Sequence, residues 1–141
     1  MNRRSFLATI ATALALPATG FAADLKTIEF DRRDPIKAAL KAGKTVFVDF
    51  AADWCSTCSV QERVINELRQ ENAAYDENIV FVRVDWDAYG NSPVARDRNI
   101  PRRSTLIALK GNKELGRIVA GTSTSSIKKL MDKALAASQT A

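Results

Sequence analysis

The chain has 141 residues, 46% hydrophobic and 26% charged, with a formal net charge of +5. That is enough for one domain around a single core, and the basic excess is too mild to indicate a nucleic-acid partner. Two cysteines and no histidine argue against a structural zinc site within one chain, since such sites take about four ligands.

Residues 1–23 stand apart. Asn2-Arg3-Arg4 is a positive start, Phe6 to Leu16 is apolar and rich in Ala and Leu, and Pro17 to Ala23 ends in small residues. This is the three-part layout of a secretory signal peptide, with cleavage expected after Ala22 or Ala23. The apolar stretch is too short to span a bilayer, so no stable membrane insertion is expected once it is removed. Arg3-Arg4-Ser5-Phe6-Leu7 is similar to a twin-arginine export signal, although Asn2 and Ala8 depart from the usual pattern. Export predicts a periplasmic protein, in a compartment where thiols tend to be oxidised. Loss of Arg3 and Arg4 lowers the net charge to +3, and residues 24–141 form the expected domain.

Within that domain, residues 27–30 read as a short edge strand. Asp34 is an N-cap, Pro35 suits the first helical position, and Gly43 stops the helix. Thr45 to Ala51 is mostly apolar and β-prone, the pattern of a buried strand. Apolar residues at 60, 64, 65 and 68 give helical spacing up to about Glu71. Cys55 and Cys58 therefore lie where a strand ends and a helix begins. The unpaired N–H groups and dipole of a helix start stabilise a thiolate, the reactive form of cysteine. Two cysteines at this spacing can close a small disulfide ring, with Cys55 as the exposed attacking sulfur and Cys58, one turn in, as the more buried resolving sulfur. A purely structural disulfide is the plain alternative, but a C-x-x-C beside a strand–helix junction is a redox signature.

The segment Asp49-Phe50-Ala51-Ala52-Asp53-Trp54-Cys55-Ser56-Thr57-Cys58 resembles the active-site segment of the thioredoxin superfamily. Its Ala-Asp-Trp-Cys form is similar to the thioredoxin-like domains of bacterial envelope thiol reductases, and the likeness extends over roughly residues 28–136. The resemblance implies an α/β thioredoxin fold, a central mixed sheet flanked by helices on both faces. It implies thiol–disulfide exchange through the Cys55–Cys58 disulfide, with no other cofactor. Asp49 matches the family's buried acid, which moves a proton from the resolving cysteine, and Trp54 matches the tryptophan that shields the site. The implied partners are a protein disulfide as substrate and a membrane thiol-reducing donor.

Further on, Ile79 to Asp85 reads as a strand. Strand, helix, strand implies a right-handed crossover and parallel pairing. Residues 85–91 read as a solvated loop, and Ser92 caps a short helix to about Asn99. The family carries an Ile-Pro-Thr triplet, with cis-proline, before the next strand. Here Arg103-Ser104-Thr105 stands at that place, and a serine there is expected to keep a trans peptide bond. An alternative alignment puts Pro101 in the role and loops out Arg102 and Arg103. With Ser104 in place, its hydroxyl can hydrogen-bond a thiolate and favour the reduced form. The site is also left more open to metal. Arg103, Ser104 and Thr105 become candidate substrate contacts, and Arg102 and Arg103 would attract an acidic partner. Residues 105–109 and 116–120 form a hairpin across Gly111-Asn112, and Ser125 or Ser126 caps a last helix.

The expected function is periplasmic thiol–disulfide exchange, favouring reduction, because no histidine separates the cysteines. Two other readings stand beside it. One is a metal- or iron–sulfur-binding protein using Cys55 and Cys58 across a dimer. The other is a redox-inactive binding module.

Overall fold

The computed structural model describes residues 24–140. The signal-peptide and twin-arginine expectations for residues 1–23 lie outside the described residues. In chain order the elements are β1 (Thr27–Glu29), α1 (Pro35–Lys41), β2 (Thr45–Ala51), α2 (Ser56–Glu71) and α3 (Ala74–Asn78). They continue with β3 (Ile79–Asp85), α4 (Trp86–Tyr89), α5 (Pro93–Arg96), β4 (Thr105–Lys110), β5 (Lys113–Val119) and α6 (Thr124–Ser138).

The five strands form one sheet in the order β1-β3-β2-β4-β5. β2 is central, parallel to β3 and antiparallel to β4. A strand paired on both edges and covered on both faces is expected to be apolar throughout, and β2 is buried along its length except at the half-buried Asp49. The period of two along a strand divides its side chains between two cores. Phe47 packs with Ile65, Leu68, Ile127 and Met131 under α2 and α6. Val46, Val48 and Phe50 pack on the other face with Ile36 of α1 and with Val94 and Ala95 of α5. Asp49 falls on the Phe47 side, beneath α2. The sheet is mixed and has helices on both faces, as expected.

Local chemistry sets the element ends. Asp34 accepts from the Lys37 N–H, Pro35 opens α1, and Gly43 turns the chain at φ +80°. Gly111 at φ +58° closes the β4–β5 hairpin. Three expectations are corrected. Residues 85–91 are not a solvated loop, because Asp85 accepts from the Asp87 N–H and caps the short helix α4. β5 begins at Lys113, three residues early, since its first residues are exposed edge positions that apolar patterning does not mark. α6 is capped by Ser123, whose hydroxyl accepts from the Ser126 N–H, rather than by Ser125 or Ser126.

Candidate active site

The site is assembled from the carboxyl end of β2 with the start of α2, the turn before β4, and the turn after β5. Cys55 is the N-cap of α2, and its Sγ accepts from the Cys58 N–H at 3.2 Å. Cys55 and Cys58 are disulfide-bonded, with Cα atoms 5.2 Å apart. The expectation of an exposed attacking sulfur is corrected. Cys55 is 4% exposed, barely more than Cys58 at 2%. Both pack with Ala51 and Ala52 against the half-buried Trp86, and Ser104 closes over them.

Ser104 takes the place facing the cysteines. Its Oγ lies 3.1 Å from Cys55 Sγ and 3.1 Å from Cys58 Sγ. Its N–H donates to the Phe50 carbonyl at 2.8 Å, and its own carbonyl accepts from the Ala120 N–H at 2.8 Å. The residue is fully buried at φ +63°, and no peptide bond among the described residues is cis. Pro101 is exposed, so the alternative alignment through it does not hold. Thr105 departs from its expected role as a substrate contact. It is fully buried at the start of β4, and its hydroxyl donates to the Arg102 carbonyl at 2.7 Å.

Trp54 is 62% exposed. Its Nε1 donates to Asp87 Oδ2 at 2.9 Å, and the Arg103 guanidinium lies 4.3 Å from its ring centroid, a cation–π contact. The cysteines are thus covered by Trp86 and Ser104 from within, while Trp54 and Arg103 form an outer surface beside them. Trp86 was missed in the sequence because its segment reads as a polar loop.

Asp49 faces α2 across a cavity of about 30 Å³ also lined by Glu62, Asn66 and Arg83. That is room for a water molecule. Arg83 is paired with Asp49 in the strand register, yet its guanidinium binds Asp53 at 2.9 Å and Glu29 at 3.5 Å. Asp49 Oδ1 is left buried without a hydrogen-bond partner. Burial pushes the Asp49 carboxyl up to about 7; Arg83 opposes this, while Glu62 and Glu29 add to it. Its charge state therefore changes near neutral pH, as acid–base work requires.

Gln61, which sequence reasoning also missed, is fully buried below the site. Its Nε2 donates to the Ser104 carbonyl at 3.0 Å and the Gly121 carbonyl at 2.8 Å. No group of three or more His, Cys, Asp or Glu side chains that could hold a metal ion converges among the described residues.

A family model described as Thioredoxin-like matches residues 31–109. A thioredoxin of Echinococcus granulosus is 31% identical over 98 residues, covering 70% of this chain and 85% of its own. A thioredoxin H-type of Brassica campestris is 30% identical over 109 residues, covering 77% and 82%. Among solved structures, Schistosoma mansoni thioredoxin superposes with a TM-score of 0.60 at 30% identity, covering 77% of this chain and 94% of that one. Trxlp from Edwardsiella tarda gives a TM-score of 0.64 at 25% identity, covering 74% and 98%. A matched family, a shared fold and a cysteine pair at disulfide distance on the first turn of a helix lead to one assignment: the chain belongs to the thioredoxin superfamily, as a thioredoxin-like oxidoreductase whose Cys-x-x-Cys pair is Cys55 and Cys58.

Proposed function

We propose that this protein is an exported thiol–disulfide oxidoreductase that reduces protein disulfides in the bacterial periplasm. The observation that carries the reading is Cys55 Sγ at the N-cap of α2, accepting the Cys58 N–H. A backbone donor and the positive end of a helix of 16 residues both favour a thiolate there.

In the forward step the Cys55 thiolate attacks one sulfur of a substrate disulfide. A Cys55–substrate bond forms, the substrate S–S bond breaks, and a substrate thiolate leaves. Cys58 then loses its proton and attacks Cys55 Sγ. This restores the Cys55–Cys58 disulfide and releases the second substrate thiolate. Asp49, whose carboxyl is pushed up to about 7 beneath α2, takes up the Cys58 proton. Trp54 and Arg103 present the docking surface, and Arg102 and Arg103 favour an acidic client. No cofactor beyond the disulfide is invoked. A membrane thiol-reducing protein returns the electrons, and neither nucleic acid nor stable membrane insertion enters the scheme.

The chain has no histidine, and only Ser56 and Thr57 separate the cysteines. The potential is therefore expected nearer about −270 mV, the thioredoxin value, than about −120 mV, that of a strong oxidant. Equilibration of residues 24–141 with glutathione and dithiothreitol buffers tests this, with metal content read on the same sample. A reversible two-electron couple below about −230 mV supports a reductase. A value above about −200 mV reverses the direction, and stoichiometric metal replaces this reading with the metal-binding one. Cys55→Ser should abolish turnover, and Cys58→Ser should accumulate the mixed disulfide. Export is checked separately: protein recovered from the envelope fraction should begin at Ala23 or Asp24, and an intact Met1 would argue against it.

A further inference from the structure

Two polar residues are fully buried at the site: Ser104, whose hydroxyl faces both sulfurs, and Gln61, whose side chain donates to the Ser104 backbone carbonyl. Gln61 lies on the inward face of α2, one turn beyond Cys58. Both protons of its Nε2 are used, on the carbonyls of Ser104 and Gly121. The opposite orientation of the amide would set an oxygen against two acceptors, so the amide direction follows from its partners. Ser104 is gripped on both sides of its backbone, by the Phe50 carbonyl and by the Ala120 N–H. It is held at φ +63°, a region costly for a residue other than glycine and kept only where the surroundings over-determine it.

This grip aims the Ser104 hydroxyl at both sulfurs, at 3.1 Å each. A hydroxyl has one proton and two acceptor lone pairs. Against the disulfide it is poorly used, because neither sulfur carries a proton to give and a disulfide sulfur is a weak acceptor. Against a reduced pair it would be fully used: the Cys58 thiol would donate to Oγ and the O–H to a Cys55 thiolate, which would keep the Cys58 N–H that Cys55 Sγ accepts in the disulfide.

We propose that Gln61 and Ser104 form a hydrogen-bond clamp selective for the reduced cysteine pair, with Ser104 contacting the sulfurs and Gln61 acting as its positioning residue. The proposal rests on the thiol–disulfide exchange reading. Reduction by a donor dithiol breaks the Cys55–Cys58 bond and forms one S–S bond in the donor. Of the donor's two protons, one goes to Cys58 and one to water, leaving Cys55 as thiolate. The clamp stabilises that product, so it makes the couple less reducing than the same site without the hydroxyl. It also lowers the Cys55 pKa and holds Cys58 protonated until a mixed disulfide forms.

The test compares wild type, Ser104→Ala, Ser104→Gly, Gln61→Met and the Ser104→Gly/Gln61→Met double variant. Each is equilibrated with glutathione buffers, and its thiolate absorbance is followed against pH. Ser104→Gly removes the hydroxyl and relieves the left-handed backbone, so it reports even if the alanine variant folds poorly. Loss of the hydroxyl should shift the equilibrium toward the disulfide by about tenfold, the scale of one hydrogen bond to a charged group, or about 30 mV. The thiolate titration should move to higher pH. Gln61→Met should shift both in the same direction by a smaller factor, and should add nothing once Ser104 is glycine. A normal wild-type couple that moves less than twofold in Ser104→Ala and Ser104→Gly overturns the clamp alone. Equal Gln61→Met shifts with and without the Ser104 hydroxyl overturn the positioning role. A wild-type protein without any reversible couple overturns the exchange reading and the clamp together.

Discussion

A carboxyl buried beside a cavity, with its natural partner Arg83 engaged elsewhere, makes Asp49 both a proton carrier and a liability. Its native pKa is raised to about 7 by burial, against about 3.9 in an unfolded chain. Between those values the native state binds more protons than the unfolded state, so stability falls as pH rises from about 4 to about 7. Asp49→Asn removes this loss. The stability gain of the variant over wild type should grow by roughly 2–3 kcal/mol between pH 5 and pH 8, read from urea midpoints. The same variant should resolve the mixed disulfide more slowly. A gain that stays flat across pH would show that the carboxyl ionises like a surface acid. Asp49 was legible in the sequence through its match to the family's buried acid, and Ser104 as a missing proline. Gln61 was not, because it is a polar residue on a face read from apolar positions 60, 64, 65 and 68. The helix instead turns Gln61 inward and leaves Val60 half-buried. Only its two carbonyl partners, 43 and 60 residues away in sequence, explain why an amide is there.

Among the elements, the end of α2 is tied down by Arg69, which is 2% exposed. Its guanidinium binds Asp76 of α3 at 2.6 and 3.1 Å, Thr27 Oγ1 of β1 at 2.8 Å and the Lys26 carbonyl at 2.9 Å, and lies 4.0 Å from the centroid of the Phe81 ring in β3. Four elements share this one cation. Removing one partner of a buried pair leaves the other charge under-compensated. Asp76→Ala is therefore expected to destabilise the fold by about 2–4 kcal/mol, at or below the usual range for a buried pair because Asp76 is itself partly hydrated. Asp76→Asn, which keeps an acceptor, should cost less. A loss below about 0.5 kcal/mol by urea unfolding, ordinary for a surface change, would show that Arg69 is held by packing alone. β2 and β3 were legible to the residue, because strands paired on both edges carry mostly apolar, β-prone runs. The short helices α3 and α4 were not. At five and four residues they present no helical period, and each depends on what it meets: Tyr75 with Asp132 of α6, and Trp86 with the cysteine cluster.

For the molecule as a whole, one sheet separates two cores, and the chemistry sits where the carboxyl end of β2 meets the turns before β4 and after β5. The chain has two tryptophans, and both stand at this end. Trp54 is in solvent with its Nε1 on Asp87, and Trp86 is half-buried against Cys55 and Cys58. Intrinsic fluorescence is therefore a local meter. Its half-buried emitter lies beside the sulfurs and its exposed emitter is open to a dissolved quencher, so the two can be separated optically within one sample. The opposite end of the sheet, with Arg69 and α3, emits nothing through an indole. An unfolding curve taken by fluorescence follows the reactive end, and it stands for the whole domain only where far-ultraviolet dichroism traces the same transition.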